Sequence, residues 1–153
     1  MQETEKLSRE EIIKYYQEDA MKLLGFYNWL KKASGTDSAQ FYKGDGIEES
    51  SMPVPVYDST LLNFIKTAKT TKFMNRNYVY TFSRNNIKTT KDELRLIEEC
   101  TLQDVKTLGD ILSKYVLKGE VRGAIWSEGL KNGVYLAIVL KCKELLEIKK
   151  PLA

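Results

Sequence analysis

The sequence predicts a mainly α protein: a compact single-domain helical bundle of about five or six helices spanning 1–153, with room for a short two-stranded β element. Three observations predict it. Apolar residues recur at three- and four-residue steps along most of the chain, the spacing that lines one face of a helix. Helix-start chemistry stands ahead of several of those runs. Only one long stretch, the loop at 34–58, has no helical period. A chain of 153 residues buries roughly 70% of the surface it exposes when unfolded, enough for one core without a metal or a disulfide.

The first helix is expected to begin at Ser8, whose hydroxyl can cap open amides while Glu11 reaches back. Ile12, Tyr16, Ala20, Leu23, Tyr27 and Leu30 then share a face as far as Lys32. From Ser34 to Asp58 the chain carries Gly35, Gly44, Gly46, Pro53 and Pro55. A loop of that length is commonly functional or disordered, so ordered ends are expected around a mobile centre at 43–51. Asp58 reads as the cap of a second helix through Leu61, Leu62, Ile65 and Ala68.

Tyr78, Tyr80 and Phe82 alternate with Val79, Thr81 and Ser83, the period-two pattern of a strand, for which Val54 to Tyr57 is the natural partner. Thr90 with Glu93 reads as a second capping box and Thr101 as the next cap. The helix after Thr101 is the cleanest: Leu102, Val105, Leu108, Leu112, Tyr115 and Val116 keep helical spacing up to Gly119, where a left-handed stop is expected. Two more helices, near 121–130 and 134–148, flank the Asn132-Gly133 step. That step can also close a hairpin, but Val134, Ile138, Cys142 and Leu145 line one helical face.

Cys100 and Cys142 fit no metal or redox spacing and read as two reduced, buried thiols. Met1 to Lys6 has no apolar stretch, so a cytoplasmic location is expected. The longest apolar run, Val134 to Leu140, is far short of the about 20 residues that cross a bilayer, so no membrane partner is expected. A net charge of +3 implies no polyanion partner by itself; the distribution of charge is what matters.

The chain has no histidine, which removes the commonest general base and zinc ligand; no metal and no cofactor are expected. Glu10-Glu11 and Glu98-Glu99 are neighbours on helices, pointing about 100 degrees apart, and read as solvated faces. Gly44-Asp45-Gly46 lacks the continuation of a phosphate or calcium loop and reads as a turn. Arg122 beside Trp126 can stack on the indole or offer a fork to an anion, or simply cover a half-buried ring.

The least uniform stretch runs from 66 to 91. It holds Lys66, Lys69, Lys72, Arg76, Arg84, Lys88 and Lys91 with no acidic residue between, interleaved with Phe73, Tyr78, Tyr80 and Phe82. Cations draw in phosphates and aromatic faces stack on unpaired bases. The competing reading makes these core rings with solvated lysines, paired to the acidic segments 3–19 and 92–110 within the chain or between copies.

The stretch from Leu108 to Leu146, above all Lys118 to Gly133 with Trp126, Leu130 and the Asn132-Gly133 step before Val134, Ile138 and Leu140, resembles the C-terminal half of a bacterial family classed as domain of unknown function 6508. Upstream, Pro53-Val54-Pro55 with Tyr57, a helix through Phe64 and the aromatic run from Tyr78 to Phe82 agree in order. The chain departs from that pattern at Glu120-Val121, where the family has Arg-Phe, at Gly123-Ala124, where it has Glu-Gly, and at Ser83-Arg84, where it has a tryptophan. The resemblance implies a fold and no activity.

The functional expectation is a non-catalytic binding or interaction module whose partner is another protein or a second copy, with contacts on the 34–58 loop and the basic stretch. A nucleic-acid-binding accessory protein using 66–91 is the alternative. An enzyme built on carboxylates or Arg122 is the weaker one.

Overall fold

The computed structural model describes residues 8–34, 39–42, 54–57, 59–122 and 124–148. Among them are eight α-helices: α1 Arg9–Leu24, α2 Tyr27–Ala33, α3 Ser59–Lys69, α4 Tyr78–Arg84, α5 Thr90–Glu99, α6 Val105–Lys118, α7 Ala124–Lys131 and α8 Val134–Leu145. A 3-10 turn, Leu102–Asp104, leads into α6. Two strands, β1 Ala39–Tyr42 and β2 Val54–Tyr57, pair antiparallel with Ala39 opposite Tyr57 and Tyr42 opposite Val54. The centre of the 34–58 loop, with Gly44-Asp45-Gly46, lies outside the described residues, as does Asp58.

Helices α6 and α8 form the middle of the bundle. α1, α2, α5 and α7 pack on α8, while α3, α4, α5 and α7 pack on α6, which also touches α8. The buried side chains of α6, among them Leu108, Ile111, Leu112, Tyr115 and Val116, meet Tyr135, Ile138 and Val139 of α8 in one core. No helix among the described residues is long and apolar enough to cross a membrane.

The helix count exceeds the expected five or six for two reasons. The expected single N-terminal helix breaks: the Phe26 amide donates to the Leu23 carbonyl at 3.0 Å, a tightened turn, and the ladder restarts with Leu30 donating to Phe26 at 2.8 Å. Leu23, Leu24 and Leu30 stay buried through the break, so the apolar period continues and conceals it. The second reason is Tyr78 to Phe82, which is the helix α4 and not a strand; the partner of Val54–Tyr57 is Ala39–Tyr42.

In α4 the inward positions are Tyr78, Thr81 and Phe82, at helical spacing, while Val79 and Tyr80 face out. The Thr81 hydroxyl donates to buried Asp110 at 2.5 Å, and the Tyr78 and Phe82 rings meet edge to face. Packing against α6 overrides the strand preference of the run.

Capping agrees with the sequence at Ser8, where Glu11 donates its amide to the Ser8 hydroxyl and returns a carboxylate contact at 2.8 Å. At α5 the box is one residue earlier than expected, on Thr89 and Asp92; the Lys88 and Thr89 amides hold the Asp92 carboxyl below its ordinary range. Glu93 is thereby left to turn inward. Gly119 is right-handed, with φ −65, and not the expected left-handed stop. What requires glycine there is the indole of Trp126, which lies over its Cα in the space a side chain would take. The left-handed glycine is Gly133, φ 83, between α7 and α8.

Segment 70–77 crosses the bundle without helix, so its polar groups need partners. Asp19 of α1 accepts the Lys72 amide at 2.8 Å, and Ser113 and Asp110 of α6 take the Asn75 amide and side chain, each at 2.8 Å. Gly109 lets this segment approach, since a Cβ there would stand 2.6 Å from the Phe73 carbonyl oxygen. These buried carboxylates therefore serve to fasten the chain.

Cys100 and Cys142 are free and buried. Burial pushes both thiols up from 9.0, Cys100 to about 11 with help from Asp104, and Cys142 to about 12 with help from Cys100. Groups whose pKa rises on folding add stability that is whole below the unfolded value and is lost as pH climbs through the folded one. Stability is therefore expected to fall from pH 9 upward. The native thiols should also stay silent toward an aromatic disulfide reagent at neutral pH and react on unfolding; prompt reaction of the folded chain would refute this burial.

Candidate functional site

Helices α4, α5 and α6 enclose a cleft of about 270 Å³ lined by Tyr78, Val79, Phe82, Ile87, Lys88, Glu93, Lys114 and Lys118. Each element supplies its part for a local reason. α4 presents Tyr78 and Phe82 because Thr81 is tied to Asp110. It ends in a turn where Asn86 takes a left-handed φ of 56 and the Ile87 amide donates back to the Phe82 carbonyl at 2.9 Å, a geometry that returns the chain over its own helix. That turn sets Ile87 and Lys88 on the cleft. α6 contributes Lys114 and Lys118, one turn apart and so on one face.

Glu93, only 1% exposed, lies at the cleft. Its Oε1 accepts from the Tyr115 hydroxyl at 2.5 Å and its Oε2 from Lys114 Nζ at 2.5 Å. Tyr115 in turn accepts from Asn132 Nδ2 at 3.0 Å. Burial, and then the bond to Glu93, push the Tyr115 hydroxyl up, so it stays protonated as a donor. Lys114 also lies over the rings of Phe82 and Tyr115, at 5.4 and 4.7 Å.

The cleft therefore carries three ammonium groups against one carboxylate, and that carboxylate is already engaged. Among the described residues no carboxylate pairs with Lys88 or Lys118. Cations gathered beside low-dielectric walls focus field on whatever enters. The chemistry on offer is attraction and orientation of a negative group, with rings alongside.

The basic stretch does not gather in one place. Lys66 and Lys69 lie on α3 beside Trp126, in a shallow hollow of about 410 Å³ with Leu62, Asn63 and Ile65. Lys69 pairs with Glu120 and stands 6.0 Å from the indole. Lys72 sits 3.8 Å from Asp19 and over the Tyr15 ring. Arg76 is exposed in the turn before α4. Tyr80 and Arg84 occupy the outer face of α4, where Arg84 reaches the Thr81 hydroxyl at 3.5 Å. Tyr78 and Lys88 alone reach the cleft.

Arg122 is exposed in the turn after α6, ahead of the start of α7. Trp126 is half-buried and its Nε1 donates to the Val116 carbonyl at 2.9 Å; the cation over its ring is Lys69. Sequence reasoning missed Glu93, Lys114 and Lys118. Their signal was present as two lysines at i and i+4 in the last turns of α6, and as Thr89 with Asp92, a competing capping pair that leaves Glu93 free of that role. Among the described residues no group of three or more histidine, cysteine, aspartate or glutamate side chains could hold a metal ion. Comparison of the chain with protein-family models, with curated proteins and with solved structures finds no match.

Proposed function

We propose that this protein is a non-catalytic binding module whose α4–α5–α6 cleft takes an anionic group presented by a partner. One observation carries the reading: Lys88 and Lys118 reach the cleft without a carboxylate partner among the described residues, while Glu93 is engaged by Tyr115 and Lys114. Lysines act here as mobile point charges, suited to phosphate or carboxylate and not to the bidentate geometry an arginine would impose. A cytoplasmic setting and kinship with family 6508 belong to the same proposal, the latter resting on the residues from Leu108 to Leu146.

The test is a nuclear magnetic resonance titration of the full chain with inorganic pyrophosphate at low ionic strength. Amide shifts should concentrate at Lys88, Glu93, Lys114 and Lys118 and should fade as salt rises. Changing Lys114 and Lys118 to glutamine should weaken binding about tenfold, roughly 1.4 kcal/mol. Shifts scattered over the whole surface, or none at low salt, would end the proposal.

A further inference from the structure

The lining of the cleft is chemically two-sided. Tyr78, Val79 and Phe82 of α4, with Ile87 in the turn that follows, form an apolar side, while α5 and α6 supply Glu93, Lys114 and Lys118, and Lys88 completes the charged part. Glu93 is engaged by Lys114 and Tyr115, so three ammonium groups against one carboxylate leave two positive charges in excess. Asp92, the neighbour of Glu93, does not line the cleft. Its carboxylate caps α5, accepting the Lys88 and Thr89 amides at 3.0 and 3.2 Å, and lies 3.5 Å from Arg95.

We propose that the anionic group is a phosphomonoester on an apolar stem, its phosphate among Lys88, Lys114 and Lys118 and its stem along Tyr78, Val79, Phe82 and Ile87. This rests on the anion-binding reading above and names the ligand class. A phosphomonoester carries close to two negative charges at neutral pH and three acceptor oxygens, which matches the charge excess and the three ammonium donors. A carboxylate or a phosphodiester brings a single charge and leaves one cation uncompensated. A bare inorganic ion would leave the apolar side in water, whereas a carbon stem covers it and gains by doing so. Size agrees as well. At about 270 Å³ the cleft lies below the roughly 300–1,000 Å³ of pockets that enclose whole drug-sized ligands, which suits a phosphate with a short stem. A phosphorylated tyrosine side chain and a small phosphate ester both present that chemistry.

The experiment titrates the full chain at neutral pH and low ionic strength with phenyl phosphate, phenyl sulfate, inorganic phosphate and a short, otherwise uncharged peptide bearing one phosphotyrosine. Amide shifts of Lys88, Glu93, Lys114 and Lys118 report binding. Phenyl phosphate and phenyl sulfate share a ring and a tetrahedral head and differ by one charge, so the phosphate should bind about tenfold more tightly. It should also bind about fivefold more tightly than inorganic phosphate, from the apolar surface its ring covers. In Lys118→Gln, a substitution at an exposed position, the preference for phosphate over sulfate should shrink to about threefold; the amide spectrum away from the cleft will verify that the variant folds.

Peptide binding as tight as that of phenyl phosphate supports the monoester and assigns it to a phosphorylated side chain, while exclusion of the peptide supports it as a free ester. Phenyl sulfate or inorganic phosphate binding as tightly as phenyl phosphate would overturn the inference. If pyrophosphate still shifts Lys114 and Lys118 in that case, only the monoester is lost. Silence toward pyrophosphate as well removes the anion site beneath it.

Discussion

Replacing Gly129 by alanine is expected to lower stability by about 3 kcal/mol, the upper end of what overpacking a core costs. Gly129 is buried on α7 where the ring of Tyr135 crosses it. An added Cβ would overlap two ring carbons and stand 2.9 Å from the hydroxyl oxygen. The ring has nowhere to retreat, because Tyr135 is 0% exposed, its hydroxyl donates to the Trp126 carbonyl at 2.6 Å, and it packs on Phe64 at 4.9 Å and Tyr115 at 5.8 Å. Relief therefore requires α7 to move off α8. In a chain of this size that loss corresponds to a fall in melting temperature of roughly 10 °C. A midpoint within about 2 °C of the parent would show that α7 and α8 are not in this contact.

Such close approaches are also where sequence reading stops. The helical spacing of α6, the Ser8 cap and the Asn132-Gly133 turn are local properties, carried by residues a few positions apart, and they were legible. That Gly119 faces Trp126, or Gly109 the backbone of Phe73, depends on which segments meet, and glycine gives the same symbol for a close approach as for a left-handed stop. The α4 run shows the same limit. Its alternating Tyr, Val and Thr carry a strand preference, yet the run is a helix packed on α6, with Thr81 bonded to Asp110 29 residues away, a contact that no local pattern reveals.

Charge was legible as composition and illegible as place. Seven cations between 66 and 91 appear as one basic stretch, but the fold places Lys66 and Lys69 on α3 beside Trp126, Lys72 against Asp19 and Lys88 at the cleft with the α6 lysines. The competing reading paired the acidic segments 3–19 and 92–110 with that stretch. The buried acidic residues each serve one neighbourhood: Asp19 holds Lys72, Asp110 holds Thr81 and Asn75, and Glu93 holds Lys114 and Tyr115. What remains uncompensated at the cleft is a remainder left by folding, and it could not be read from net charge.

Glu93 connects that remainder to the stability of the bundle, so its substitution should move two quantities in opposite directions. Glu93→Ala removes the acceptor of the buried Tyr115 hydroxyl and the partner of Lys114 together. Breaking a buried pair costs about 3–5 kcal/mol, and because Lys114 keeps 26% of its side chain in water the lower figure, about 3 kcal/mol, is expected by urea denaturation. Glu93→Gln keeps an acceptor for Tyr115 and discards only the charge, so it should cost less, about 2 kcal/mol, the scale of a hydrogen bond to a charged group. It also frees the Lys114 ammonium and deletes the one negative charge at the cleft. Pyrophosphate should then bind more tightly, by roughly fivefold, equivalent to about 1 kcal/mol of Coulomb energy at a partly solvated site. A glutamine variant that loses stability and gains affinity would identify Glu93 as the group that both anchors α5 to α6 and restrains the cleft's attraction for anions. Loss of both would mean that Lys114 is held in its binding position by Glu93, and that the carboxylate orients the cation more than it neutralises it.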